Sequence, residues 1–91
     1  MQISIFGSGY VGLVTGVCFA EMGNDVICAD IDSAKVAKLQ DGISPIYEPG
    51  LDELIASNLK AKRIQFTTDL KKAVEESELL FIGVGTPSDV D

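Results

Sequence analysis

The sequence predicts an α/β fold, a four-stranded parallel sheet in the order 3-2-1-4 with helices on both faces. Three observations predict it. Short apolar runs alternate with stretches of helical spacing along the whole chain. Three glycines stand between the first run and the first helical stretch, and an aspartate closes the second run. Alternation of this kind builds βαβ units, which require a parallel sheet and right-handed crossovers.

The elements follow in order. Ile3, Ile5 and Phe6 mark a strand over 2–6, and Tyr10 to Met22 is helical, with Gly23 suited to end it. Val26–Ala29 is a second strand closing at Asp30, and Asp32 or Ser33 can cap a helix reaching about Asp41, where Gly42 stops it. Pro45 and Pro49 bracket a loop, after which Leu51, Leu54, Ile55 and Leu59 recur at helical spacing. Ile64–Thr67 is a third strand, Asp69–Glu76 another helix and Leu79–Val84 a fourth strand. Apolar residues on both faces of the strands fit a sheet covered on both sides.

The chain of 91 residues suits one domain. With 46% hydrophobic and 23% charged residues it has the make-up of an ordinary globular domain. A net charge of −7 and scattered basic residues argue against a nucleic-acid partner, which needs clustered Lys and Arg. Lys60, Lys62 and Arg63 form only a short run, expected to be a solvated helix end. No basic stretch precedes a long apolar one, so neither a signal peptide nor a membrane span is expected, and the cytoplasm is the expected compartment. Cys18 and Cys28 are too few for a disulfide framework and read as buried core thiols. With no histidine in the chain, a His-activated nucleophile or a His-bearing metal site is excluded, and no metal is expected.

Gly7-Ser8-Gly9-Tyr10-Val11-Gly12 is a G-x-G-x-x-G motif between a strand and a helix. In that setting Gly7 permits the tight turn, Gly9 lets a diphosphate approach the backbone, and Gly12 lets the helix pack on the strand. The diphosphate then faces the unpaired N–H groups and positive dipole end of the helix, with Val11 contributing through its backbone. Gly12, Gly16 and Ala20, spaced by four, form a ridge of small residues that brings the helix close to the sheet. Asp30, eighteen residues after Gly12, can accept hydrogen bonds from an adenosine ribose, or can act as a helix cap. Lys35 in the next helical turn is either a lysine leaning over the adenosine end or a solvated surface residue. Thr86, in "GVGTPS", either bonds a ribose or phosphate oxygen across the cleft or belongs to a plain turn.

"ISIFGSGYVGLVTG", "CADIDSAKV", "SPIYEPGL" and "GVGTPS" together resemble the nucleotide-sugar dehydrogenases, the family of the UDP-glucose and GDP-mannose dehydrogenases. The resemblance runs over all 91 residues. It implies a Rossmann-type domain and an NAD-dependent two-step oxidation of a sugar-nucleotide alcohol to its carboxylate. UDP-glucose is the implied substrate and GDP-mannose the near alternative. Cofactor contacts are implied at Val11, Asp30, Lys35 and Thr86, beside the fingerprint residues Gly7, Gly9, Tyr10 and Gly12. The family's catalytic cysteine and lysine and its sugar-nucleotide domain would lie beyond position 91. The 91 residues are therefore expected to be the leading part of an NAD-binding domain, inactive alone, from an enzyme that is a homo-oligomer when whole. A ligand-gated regulatory module of an ion-transport system shares the first half of the pattern. No loop like "SPIYEPGLDEL" is expected there.

Overall fold

The computed structural model describes residues 1–7, 9–44 and 48–82, without the side chain of Tyr10. The elements are β1 (Gln2–Phe6), α1 (Tyr10–Glu21), β2 (Asp25–Ala29), α2 (Ser33–Gln40), α3 (Leu51–Lys60), β3 (Ile64–Thr67), α4 (Leu70–Glu76) and β4 (Leu79–Ile82). The four strands form one parallel sheet in the order β3-β2-β1-β4, as expected. Register places Ile5 between Cys28 and Phe81, so β1 and β2 occupy the middle of the sheet.

Side-chain alternation sorts the strands onto two faces. Ile3 and Ile5, Val26 and Cys28, and Ile64 and Phe66 meet Leu13, Val17, Val36 and Ile55 on one face, under α1, α2 and α3. On the opposite face Ile27, Ala29 and the half-buried Phe6 pack against Ala73 and Leu70 of α4. Ser4, buried on that second face, donates its hydroxyl to the Ala73 carbonyl at 2.7 Å, so its polar atom is satisfied.

Local chemistry explains the helix ends. Asp32 accepts from the Lys35 N–H and Asp69 from the Lys72 N–H, each an N-cap shortly past a strand end. Asp69 thus precedes α4 rather than joining it. Gly23 and Gly42 take left-handed φ after α1 and α2. The "EPGL" run proves to be a turn. Gly50 has φ 83° and ψ −11°, and the Leu51 N–H donates to the Glu48 carbonyl at 3.1 Å, which is type II geometry with Pro49 and Gly50 at its centre. The turn starts α3 and delivers Leu51 into the core. Open space surrounds Gly50, so Gly50→Ala carries only the left-handed penalty. It should lower stability by about 1–2 kcal/mol, and Gly50→Asn by less, as read by chemical denaturation.

Three expectations are corrected. First, β4 is not covered: Leu79, Leu80, Phe81 and Ile82 are all exposed, and on β3 the second face carries exposed Gln65. Apolar composition alone did not reveal which strands have helices over them. Second, Leu54 is 40% exposed, while Asn58 is fully buried in its place on α3. Third, Arg63 is not simply solvated. Its Nε donates to the Asn58 Oδ1 at 2.9 Å, and Asn58 Nδ2 donates to Glu21 at the end of α1, also at 2.8 Å to the Leu54 carbonyl. This network ties α1, α3 and the start of β3 together. Gly83 and Val84, the last two residues of the expected fourth strand, lie outside the described residues.

Candidate functional site

The carboxyl ends of β1 and β2 converge on the glycine turn. Gly7 has φ 93°, a left-handed conformation, and its N–H donates to the Ala29 carbonyl at 2.7 Å. The turn is thereby tied to the end of β2, and only glycine adopts it without strain. Gly9 is the N-cap of α1 and makes no side-chain hydrogen bond, and no acidic residue occupies the first turn. The N–H groups at the start of α1 have no intrahelical acceptors and carry the positive end of its dipole. Val11 stands 67% exposed there, and Gly12 is buried.

Gly9 differs from its neighbours. Its φ of −70° and ψ of −177° are open to any residue, and an added Cβ would meet nothing within 4 Å. Neither conformation nor packing within the described residues calls for glycine at this position.

The helix behind the turn is held close by Gly16. A Cβ there would lie 2.9 Å from Cys28 Sγ and 3.1 Å from Ile5 Cδ1. Of the ridge, Gly16 meets the strands and Ala20 lies in the core of the same face, while Gly12 is buried.

Asp30 follows β2 directly. Its Oδ1 accepts from the Asp32 N–H at 2.9 Å, and Lys35 Nζ lies 3.9 Å from its Oδ2. The side chain of Asp30 is 13% exposed and that of Lys35 31%, so the pair is partly withdrawn from solvent. The helix cap is Asp32, so Asp30 is left to shape the end of the strand. A cleft of about 330 Å³ opens beside it, lined by Phe6, Gly7, Ala29, Asp30, Ile31 and Leu70. Gly7, Gly9, Val11, Gly12, Asp30 and Lys35 are thus gathered at one end of the sheet. Tyr10 contributes its backbone to the start of α1, and Thr86 lies outside the described residues.

The sequence reading missed the apolar walls of this cleft. Ile31 is 83% exposed between two aspartates, and Leu70 opens α4 from the far side of the sheet. An isolated isoleucine between two acids was the one available signal for Ile31. Leu70 could be placed only once the strand order was known. A hollow of about 370 Å³ at the outer edge of β3, reaching Gln40 and Phe66, contains none of the expected site residues.

The cysteines stand apart from the cleft. Cys18 is exposed, contrary to expectation, because it lies 200° around α1 from the sheet-facing Gly16 at 100° per residue. Cys28 is buried on the α1 face, and burial pushes its thiol from 9.0 up to about 12. The folded state therefore holds a proton that the unfolded chain has released between those values. Stability should be complete below 9.0 and fall as pH rises through this window, by up to about 1.4 kcal/mol per pH unit. Denaturation midpoints at about pH 8 and about pH 10.5 should show a shallower loss in Cys28→Ala than in the parent chain. No cluster of three or more metal-ligating side chains occurs among the described residues, and no helix there is long and apolar enough to cross a membrane.

A parallel sheet ordered 3-2-1-4, a glycine turn at the mouth of β1 and an acid at the end of β2 define a dinucleotide-binding α/β domain of Rossmann type. Comparison with known proteins narrows the class. The model of the UDP-glucose/GDP-mannose dehydrogenase family, NAD binding domain, matches residues 1–91. The chain belongs to this family and matches its NAD-binding domain. It is 57% identical over 88 residues to a UDP-glucose 6-dehydrogenase of Rhizobium meliloti, covering 97% of this chain and 20% of that protein. To a GDP-mannose 6-dehydrogenase of Pseudomonas aeruginosa it is 49% identical over 88 residues, again 97% of this chain and 20% of the other. The crystal structure of a ternary complex of GDP-mannose dehydrogenase from Pseudomonas aeruginosa superposes with a TM-score of 0.93 at 49% identity, over 97% of this chain and 20% of that one. The chain thus spans about one fifth of the length of these relatives.

Proposed function

We propose that these residues are the leading part of the NAD-binding domain of a longer nucleotide-sugar dehydrogenase. Its substrate is UDP-glucose, in preference to GDP-mannose, and its product the corresponding uronate. Names of similar proteins support this order: UDP-glucose 6-dehydrogenases of Rhizobium meliloti and Bacillus subtilis are 57% and 50% identical to this chain. NAD supplies the hydride acceptor. Taking an alcohol to a carboxylate removes four electrons, so two NAD are reduced per substrate and water provides the second oxygen.

Within this reading the chain binds and orients. The Gly7–Gly12 turn receives the diphosphate, with the backbone N–H groups of Tyr10, Val11 and Gly12 aimed at it. Asp30 accepts from the adenosine ribose hydroxyls, Lys35 holds the carboxylate in place, and Thr86, which follows β4 in sequence, contacts the cofactor. Cys28 is buried and protonated and Cys18 lies on the outer side of α1, so residues beyond position 91 carry out the chemistry.

The observation that carries the reading is Gly9, a glycine that nothing in the described fold requires. A close backbone approach by a ligand accounts for it. In the full-length enzyme, Gly9→Ala should leave stability within about 0.5 kcal/mol of the parent. It should weaken NAD binding by about 10-fold or more, a loss of about 1.4 kcal/mol. Equal NAD affinity in the two proteins would refute the placement.

A further inference from the structure

Among the described residues β3 has a strand on one side only. In a doubly wound sheet the later strands join beyond the fourth, so the β3 side is an edge by topology. Its backbone groups alternate in direction along the strand. The Arg63 carbonyl accepts from the Val26 N–H at 2.8 Å, and the Thr67 carbonyl from the Asp30 N–H at 3.0 Å. Arg63, Gln65 and Thr67 thus face β2, and the N–H and C=O groups of Ile64 and Phe66 point outward. Outward groups of this kind are a template for a strand of another molecule.

One of them is already taken. Gln40, the last residue of α2, donates from Nε2 to the Phe66 carbonyl at 2.8 Å. Its side chain crosses the hollow beside β3, which Leu59 and Lys62 line with it. Lys62, at φ 61°, adds a charge just before the strand, and a lysine at an edge also opposes pairing. Behind these side chains Ile64 is 2% and Phe66 4% exposed, although no strand lies outside them among the described residues.

A second copy of the chain carries the same edge, with the same spacing of outward groups. Turned antiparallel about Gln65, it would set Ile64 of each copy opposite Phe66 of the other. Each such pair would exchange both of its hydrogen bonds. The Ile64 N–H of one copy would then donate to the Phe66 carbonyl of the other, the acceptor that Gln40 holds. Gln40 therefore withdraws the acceptor from half of that ladder, and its side chain stands where the incoming strand would lie.

We propose that Gln40 guards the β3 edge against pairing with the β3 edge of a second copy. The inference does not depend on which cofactor or substrate the protein takes.

Position 65 reports on the pairing. Gln65 is exposed, and in the paired arrangement it would stand across from its own counterpart. In the full-length protein carrying Gln65→Cys, oxidation by copper–phenanthroline should leave the introduced thiols of two copies unlinked while Gln40 is in place. Adding Gln40→Met keeps the length of the side chain and removes the donor. It should speed linkage of position 65 to position 65 at least about 10-fold, read as the linked peptide in a mass spectrometer. Gln40 is itself exposed, and Gln40→Ala, run beside it, should give the same result without the longer apolar chain. Gln40→Lys restores a donor of similar reach and should return linkage to the parent rate. A residue that only braced α2 against β3 would alter stability and leave this linkage unchanged. Equal linkage with and without Gln40→Met and Gln40→Ala would overturn the proposal. So would linkage of the introduced thiol to other cysteines in place of its counterpart, or Gln40→Lys linking as fast as Gln40→Met.

Discussion

Asp30→Ala in the full-length enzyme should weaken NAD binding by about 10- to 100-fold, a loss of about 1.4–2.7 kcal/mol. The expectation follows from the proposed place of the ribose at the end of β2. There the carboxylate would accept up to two charge-assisted hydrogen bonds, each contributing about 1.5–3 kcal/mol. The same carboxylate should discriminate against NADP, whose 2′-phosphate carries about −1.5 to −2 charge near neutral pH. Asp32 adds a second negative charge two residues on, and Lys35, 3.9 Å from Asp30 Oδ2, offsets them in part. Alanine also removes the acceptor for the Asp32 N–H, so a second variant separates the effects. Asp30→Asn keeps an oxygen for that N–H and loses the charge. It should narrow the gap between NAD and NADP without loss of stability. Calorimetric titration of both cofactors against the three proteins tests this, and an unchanged NAD affinity in Asp30→Ala would show that the carboxylate serves only the strand end.

Gly16→Val should be the most destabilising single change near the site, costing about 3 kcal/mol. The first added carbon already lies 2.9 Å from Cys28 Sγ, 3.1 Å from Ile5 Cδ1 and 3.5 Å from Val26 Cγ1. Valine adds two more carbons to a space that has none to spare. With Gly16→Ala, the helix gains about 1 kcal/mol of intrinsic propensity. That gain is smaller than the cost of moving Cys28, whose short side chain on a central strand cannot swing away, so a net loss of about 1 kcal/mol is expected. Gly16→Ala combined with Cys28→Ala should cost less than the two changes summed, because the second removes the atom that the first strikes. Lifting α1 from the sheet also displaces its first turn, so NAD affinity should fall along with stability. A Gly16→Val protein as stable as the parent would mean that the ridge is not in contact with β2.

Much of this architecture was legible in the residues themselves. Glycines at 7, 9 and 12, Asp30 at a strand end and the strand–helix alternation depend on local backbone geometry and on spacing, which a sequence displays directly. The glycine turn, the Asp32 cap and the sheet order followed from them. The "EPGL" run showed only as a family mark, although Pro-Gly at the centre of a type II turn is local chemistry that could have been read. Tertiary structure decided the rest. Which side of α1 is covered depends on where β4 and α3 lie, so Cys18 looked buried and is exposed. Arg63 looked like part of a solvated helix end, yet through Asn58 it holds three elements together. The walls of the cleft come from Ile31 and Leu70, nearly forty residues apart, and only the crossing of the chain from β3 to β4 brings α4 beneath the sheet end. Burial is a property of neighbours distant in sequence. The pattern along a chain shows which residues can be buried, and packing selects which of them are.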